Sequence, residues 1–116
     1  MVEFPAGIMA VGEGWFAGSS IRKCILPRGV VEIQEGAFAG CVKLREIELP
    51  DSLERLGAIC FAGSGLRCVK IPSNVTEISE KAFFACRDLQ EVLFDPESRL
   101  ARTEYAAFCR TWIHEA

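Results

Sequence analysis

The chain is poor in the side chains that most catalytic and metal sites use. It has one histidine in 116 residues, His114, which lies near the end of the sequence. Its six cysteines form no C-x-x-C pair, the spacing typical of a zinc site. No nucleophile is paired with a base, and no two carboxylates stand out as a catalytic pair. The sequence therefore predicts a non-enzymatic protein with no catalytic residue, no metal site and no cofactor.

Marks of nucleic-acid binding and of membrane insertion are also missing. The net charge is −3 and the pI about 5.2, so there is no basic footprint for nucleic acid. No apolar run approaches the roughly 18 residues that span a bilayer. Residues 1–5 lack a basic region followed by an apolar stretch, so we predict no signal peptide.

Proline is scarce but strictly placed. The five prolines recur every 22 to 24 residues, and a phenylalanine follows each by eleven or twelve positions. Two landmarks in one register indicate an internal repeat. We therefore predict one domain over residues 1–116, with units starting near residues 5, 27, 50, 72 and 96. The landmarks are Pro5, Pro27, Pro50, Pro72 and Pro96, and Phe16, Phe38, Phe61, Phe83 and Phe108.

Each unit contains at least one short strand. In LREIEL, the apolar side chains Leu44, Ile47 and Leu49 alternate with Glu46 and Glu48, as in a strand with one buried face. The following proline ends the strand because it brings no N–H to a ladder. The V-x-x-I stretch after each proline predicts either a second short strand or an irregular turn. The segment around Ala-Phe is too short for a stable helix and predicts a turn or a 3₁₀ segment.

One unit is too small to bury its own apolar face, so stacked units must bury it against each other. The phenylalanine column is then core. Trp15 occupies the alanine slot of the first unit, and we expect it to be a larger core plug near an end.

The cysteines follow the same register, which favours free thiols over a disulfide scaffold. Five fall in columns of small or apolar residues and are expected to be buried, whereas Cys68 falls at a solvent-facing slot. Free thiols lean towards a reducing, intracellular compartment. The five are Cys24, Cys41, Cys60, Cys86 and Cys109.

The repeat resembles a known family. The segments LREIELPDSLERLGAICFAGS and IPSNVTEISEKAFFAC are similar to the BspA-type leucine-rich repeats, which are common on microbial surface proteins. The resemblance implies a leucine-rich repeat solenoid of about five repeats. Its short parallel strands would line a concave face, with turns or short strands on the convex side. It also implies a module that binds proteins. It does not decide whether the protein is intracellular, as the free thiols indicate, or at the cell surface, as is common for similar repeats.

The candidate site is the solvent-facing side of the predicted concave strands. Its leading column is an arginine ladder in which like charges repel, which favours an acidic or phosphate-bearing partner, or Glu46 and Glu91 as counter-ions. The alternative is a solvated, self-neutralised sheet face. The candidate binding residues are Arg22, Lys23, Arg45, Glu46, Glu48, Arg67, Lys70, Gln90 and Glu91.

Two functions fit these observations. The first is a non-catalytic interaction module that binds a protein partner through the strand face. The second is a structural element that associates end to end, because residues 2–5 match a closing strand, Thr103 breaks an isoleucine column, and no polar cap is recognisable. On this basis we expect a fragment or an uncapped array.

Overall fold

The computed structural model describes Phe4, residues 6–79 and residues 81–95, together with the backbone of residues 102–103. These residues form nine strands and no helix, wound as a solenoid. In chain order the strands are β1 (Ala10–Val11), β2 (Lys23–Ile25), β3 (Glu32–Ile33), β4 (Glu46–Glu48), β5 (Arg55–Leu56), β6 (Cys68–Ile71), β7 (Glu77–Ile78), β8 (Glu91–Phe94) and β9 (Arg102–Thr103).

The odd-numbered strands form one five-stranded parallel sheet in the order β1-β3-β5-β7-β9. Each is the V-x-x-I stretch of its unit, so this stretch is a second short strand and not an irregular turn. Thr103 pairs with Ile78 in the register of the isoleucine column, although it breaks the apolar pattern.

The even-numbered strands are the closing strands of the units, and we call their outward side the long-strand face. They form two parallel pairs, β2 with β4 and β6 with β8. The pairs meet between β4 and β6, where the backbone bond from Arg67 N to Arg45 O is 3.4 Å long. The predicted solenoid of short parallel strands is confirmed.

The core consists of continuous columns, as the register predicts. In β2 and β4 the middle residue is buried and its two neighbours are exposed. The fully buried side chains come from every part of the unit, so no single element shields the interior. They include Val11, Ile33, Leu44, Leu53, Leu56, Leu66, Val75, Ile78 and Leu89.

The phenylalanine column is a stack of near-parallel rings. Centroids lie 5.2 Å apart for Phe16–Phe38, 5.3 Å for Phe38–Phe61 and 5.4 Å for Phe61–Phe83, with interplanar angles of 10–13°. Phe4 meets the end of this stack edge-on, with its centroid 5.6 Å from that of Phe16. The prediction that this column is core is confirmed for Phe38, Phe61 and Phe83, which are fully buried, whereas Phe16 at the end of the stack is partly buried. Phe108 lies outside the described residues.

Left-handed residues shape the turn around each phenylalanine. Every described turn has two residues with positive φ, four positions apart. Alternate N–H groups can then point along the solenoid to the next unit, as in Phe38 N to Cys60 O at 2.7 Å and Phe61 N to Ala82 O at 2.8 Å. The pairs are Gly14 with Gly18, Gly36 with Gly40, Ile59 with Gly63, and Lys81 with Ala85.

The cysteine prediction holds for the described thiols. Cys24, Cys41, Cys60 and Cys86 are free and buried, and Cys68 is free and exposed. Two of the buried thiols act as weak donors, because Cys41 Sγ lies 3.0 Å from the Phe16 carbonyl and Cys86 Sγ lies 3.0 Å from the Phe61 carbonyl. Cys109 lies outside the described residues.

The prediction that Trp15 plugs the core is wrong, because its side chain is 53% exposed. The equivalent slots hold Ala37, Cys60 and Ala82, all completely buried, and an indole does not fit there. Trp15 instead lies against Gly12, where an added Cβ would come within 2.0 Å of the indole Nε1.

Truncation of a central ring tests the stack. Phe61→Ala should lower the free energy of unfolding by roughly 3–5 kcal/mol, because it opens a cavity between two stacked neighbours. Phe94, which is 45% exposed, provides the matched control, and Phe94→Ala should have a much smaller effect. Chemical denaturation of the three proteins measures both, and equal losses would contradict the stack as the main source of core stability.

The left-handed turns also predict that substitutions at two equivalent positions change the stability of the protein in opposite directions. Gly40→Ala should destabilise the protein by about 1–2 kcal/mol, because its φ of 72° is costly for an L-residue although the added Cβ has room. Ala85→Gly, at φ 57°, should stabilise it by about 0.5–1 kcal/mol, since relieved strain exceeds the entropy that glycine loses. Denaturation midpoints would reveal the signs, and destabilisation by both changes would refute this account.

Candidate interaction surface

The long-strand face is built from positions that the core leaves free. Lys23 pairs with Glu46, Ile25 with Glu48, Cys68 with Glu91 and Lys70 with Leu93, and all eight side chains are exposed. Between them the buried residues of each strand point into the core. These pairs reproduce the columns expected from the sequence.

Charge on this face changes sign from one strand to the next. Strand β2 contributes Lys23, β4 contributes Glu46 and Glu48, β6 contributes Lys70 and β8 contributes Glu91. Lys23 Nζ lies 3.7 Å from Glu46 Oε2, with both side chains more than half exposed, so this ion pair adds little stability. The centre of the face is therefore close to neutral.

The arginine column lies at the N-terminal ends of these strands, where Arg22, Arg45 and Arg67 directly precede β2, β4 and β6. Its backbones are hydrogen-bonded in succession, from Arg45 N to Arg22 O at 2.9 Å, from Arg67 N to Arg45 O at 3.4 Å and from Gln90 N to Arg67 O at 2.8 Å. The predicted ladder is thus present in the backbone. Its side chains differ, because Arg22 and Arg67 are exposed and Arg45 is half-buried.

Arg45 connects three successive units. Its Nη1 donates to the Gly65 carbonyl at 2.9 Å and to Asp88 Oδ2 at 3.0 Å. The expectation that Glu46 and Glu91 are the arginine counter-ions is therefore wrong for Arg45. Glu46 faces Lys23, and the carboxylate that reaches Arg45 comes from the turn before β8.

Gly65 makes room for this contact. A Cβ at Gly65 would lie 2.3 Å from the Val42 carbonyl oxygen and 2.6 Å from Arg45 Nη1. The unit that contains Gly65 has five positions from its phenylalanine to its next core leucine, Phe61 to Leu66, where the preceding unit has six, Phe38 to Leu44. The absence of a side chain at Gly65 lets the Arg45 guanidinium reach the Gly65 carbonyl.

Sequence reasoning missed three residues of this edge because it considered only strand positions. Asp88 lies in the turn before β8 and pairs with Arg45. Lys43 and Arg87 are exposed cations in the equivalent turns of the two longer units. The alternation of five and six positions after the phenylalanine was the available signal, since only the longer turns have room for an additional polar residue.

The described thiols are protonated at neutral pH. Burial raises the pKa of Cys24 to about 11 and also raises the pKa values of Cys41, Cys60 and Cys86. The pKa of Cys68 is raised as well, first by partial burial and then by Glu91, whose Oε1 lies 3.7 Å from the sulfur. The thiolate is the reactive form of cysteine, so the four buried thiols are inert, whereas the exposed Cys68 thiol becomes reactive when the pH is raised.

An open groove of about 660 Å³ lies where β2 and β4 end. Apolar side chains and charged side chains of both signs line this groove. The lining residues are Ile25, Leu26, Arg28, Glu48, Leu49, Pro50, Asp51 and Ser52.

The family model for the BspA type leucine rich repeat region matches residues 3–116, in six copies. The chain belongs to the BspA-type leucine-rich repeat family. The six copies compare with five units in the proline register. Proteins of this family serve in protein interaction or as structural repeats and are generally non-enzymatic.

Solved leucine-rich repeat structures resemble the chain in fold. A Bacteroides capillosus leucine-rich repeat protein has 25% identity and a TM-score of 0.70, with 76% of this chain and 64% of that one covered. A Faecalibacterium prausnitzii leucine rich cell surface protein has 28% identity and a TM-score of 0.67, with 73% and 22% covered. The pneumococcal vaccine antigen PcpA, at 24% identity and a TM-score of 0.72, covers 78% of this chain.

The chain spans only 22% of the length of PcpA and of the Faecalibacterium protein. No curated protein matches it. Within the described part of the chain, no helix is long and apolar enough to cross a membrane. The same residues contain no group of three or more metal-ligating side chains.

The Arg45 contact predicts that two arginines of one column differ in structural importance. Arg45→Met should lower the free energy of unfolding by about 1 kcal/mol, because the Gly65 carbonyl and Asp88 lose their donor. Arg67→Met is the matched control and should change it by less than about 0.5 kcal/mol. Urea denaturation of both variants compares them, and equal effects would mean that the Arg45 contacts contribute no stability.

Proposed function

We propose that this chain is a non-catalytic module that binds a protein partner through the long-strand face. The observation that carries the proposal is the two columns of four exposed strand side chains whose identity the core does not dictate. Stacked strands hold such columns in fixed order, and curved solenoids commonly use this kind of extended surface for binding. Membership of a family with interaction and structural roles supports the same function.

The proposed contact residues are those predicted from the sequence, except that Arg45 holds the surface in place. Arg22, Lys23, Glu46, Glu48, Arg67, Lys70, Gln90 and Glu91 are exposed and available to a partner. Arg45 belongs to the same column, but its bonds to Gly65 and Asp88 make it a positioning residue. Its replacement would disturb the face as well as the contact, so it is a poor probe of binding.

Cys68 offers a test that does not depend on charge. It lies on β6 near the middle of the long-strand face and is the exposed thiol among the described cysteines. Attachment of a bulky polyethylene glycol maleimide at Cys68 should block a partner without altering the core. Mildly alkaline pH is needed for labelling, because the pKa of this thiol is raised.

The assay is affinity capture from cells that express the protein. The unmodified chain should recover a partner, and the Cys68-labelled chain should lose it. A Cys68→Ser variant exposed to the same reagent is the control, since it reports labelling elsewhere, including at Cys109. Equal capture by labelled and unlabelled chains would refute binding at this face, and recovery of further copies of this chain alone would favour the end-to-end assembly function.

A further inference from the structure

We propose that the partner is a protein whose acidic side chains contact a basic rim, which lies at the N-terminal ends of the even-numbered strands. The basic rim is defined as Arg22, Lys43, Arg67 and Arg87. This inference rests on the proposed function, because it specifies the chemistry of a partner at the same surface.

The rim concentrates positive charge in a protein that is acidic as a whole. All four side chains are exposed. Among the described residues none of the four has an ion-pair partner, whereas Arg45, at the same edge, is neutralised by Asp88. The net charge of the chain is −3, so four exposed cations without a described ion-pair partner stand out against an acidic background.

The units place two of the rim cations, Arg22 and Arg67, in one column of the repeat. Arg22 and Arg67 are two strand spacings apart along the hydrogen-bonded column, or about 10 Å at roughly 4.8 Å per strand. Lys43 and Arg87 lie in the two longer turns, at neighbouring positions of the repeat and not at the same one, since Lys43 aligns with Asp88 and Arg87 aligns with Val42. Like charges held at the separation of Arg22 and Arg67 raise the local potential. No described carboxylate forms an ion pair with either of these two arginines. A partner with carboxylates at matching intervals would relieve that repulsion.

Acidic protein fits this surface better than nucleic acid does. Glu46, Glu48 and Glu91 lie immediately inside the rim on the long-strand face. A nucleic-acid backbone carries closely spaced, unbroken negative charge and would be brought against these carboxylates. A protein surface can place carboxylates on the rim and cations or neutral groups over the glutamates. Guanidinium groups suit this role because each can bind one carboxylate through two parallel hydrogen bonds.

The test uses short probes and nuclear magnetic resonance. The isotopically labelled chain is titrated at low salt with a twelve-residue peptide in which glutamate alternates with serine. A lysine–serine peptide and a twelve-nucleotide single-stranded DNA serve as comparison probes. We expect the glutamate peptide to bind most tightly, with amide shifts confined to the residues around the rim, and its affinity to fall as added salt screens the charges.

Two double variants distinguish binding at the rim from a general effect of the net charge of the protein. Arg22→Gln with Arg67→Gln should weaken binding of the glutamate peptide by about tenfold or more. Arg28→Gln with Lys81→Gln removes the same charge from exposed cations outside the rim and should change it by less than about twofold. Thermal unfolding of both double variants confirms that the fold is retained.

Three results would overturn the inference. They are equal losses in the two double variants, tighter binding of the DNA than of the glutamate peptide, and amide shifts that lie away from the rim. The captured partner distinguishes this failure from that of the proposed function. If labelling of Cys68 abolishes capture but the Arg22 and Arg67 variant retains it, the long-strand face is the interface and its partner is not held by the rim.

Discussion

The stacking of one phenylalanine ring on the next sets the distance at which successive units of this protein pack. The rings repeat at 5.2–5.4 Å, close to the spacing of hydrogen-bonded strands, so one arrangement satisfies the core and the backbone ladders together. The turn around each ring must then direct alternate N–H groups to the neighbouring unit. That requirement produces the left-handed residues, which are glycine at both positions in the first two turns and are Lys81 and Ala85 in the fourth.

The architecture could be predicted from the sequence because each unit solves the same packing problem. The proline and phenylalanine registers located the strands, the buried columns and the outward positions of Lys23, Glu46, Cys68 and Glu91. The prediction that Trp15 is a core residue was wrong for a physical reason. A column assigns a residue to a slot, but it does not measure the room in that slot, and slots that enclose Ala37 and Ala82 completely cannot accept an indole.

The site was less predictable, because side-chain partners depend on turn length as well as on register. The alignment of the units treats Arg22, Arg45 and Arg67 as equivalent. Within the described residues, Arg45 alone donates to the Gly65 carbonyl in the short turn of the next unit and to the Asp88 carboxylate in the longer turn of the unit after it. Asp88 could not be identified as its partner from strand positions, since it lies in a turn. The consequence is a column in which one arginine positions the surface and its neighbours are free to meet a partner.

The alternation of turn lengths has an evolutionary consequence. The distance from phenylalanine to the next core aliphatic residue is five positions in the first and third units and six in the second and fourth. The longer turn already approaches the next unit so closely that only glycine is accommodated at position 65. In these four units a long turn always lies beside a short one. Duplication of a pair of units would keep this alternation, whereas duplication of a single unit would place two turns of equal length side by side.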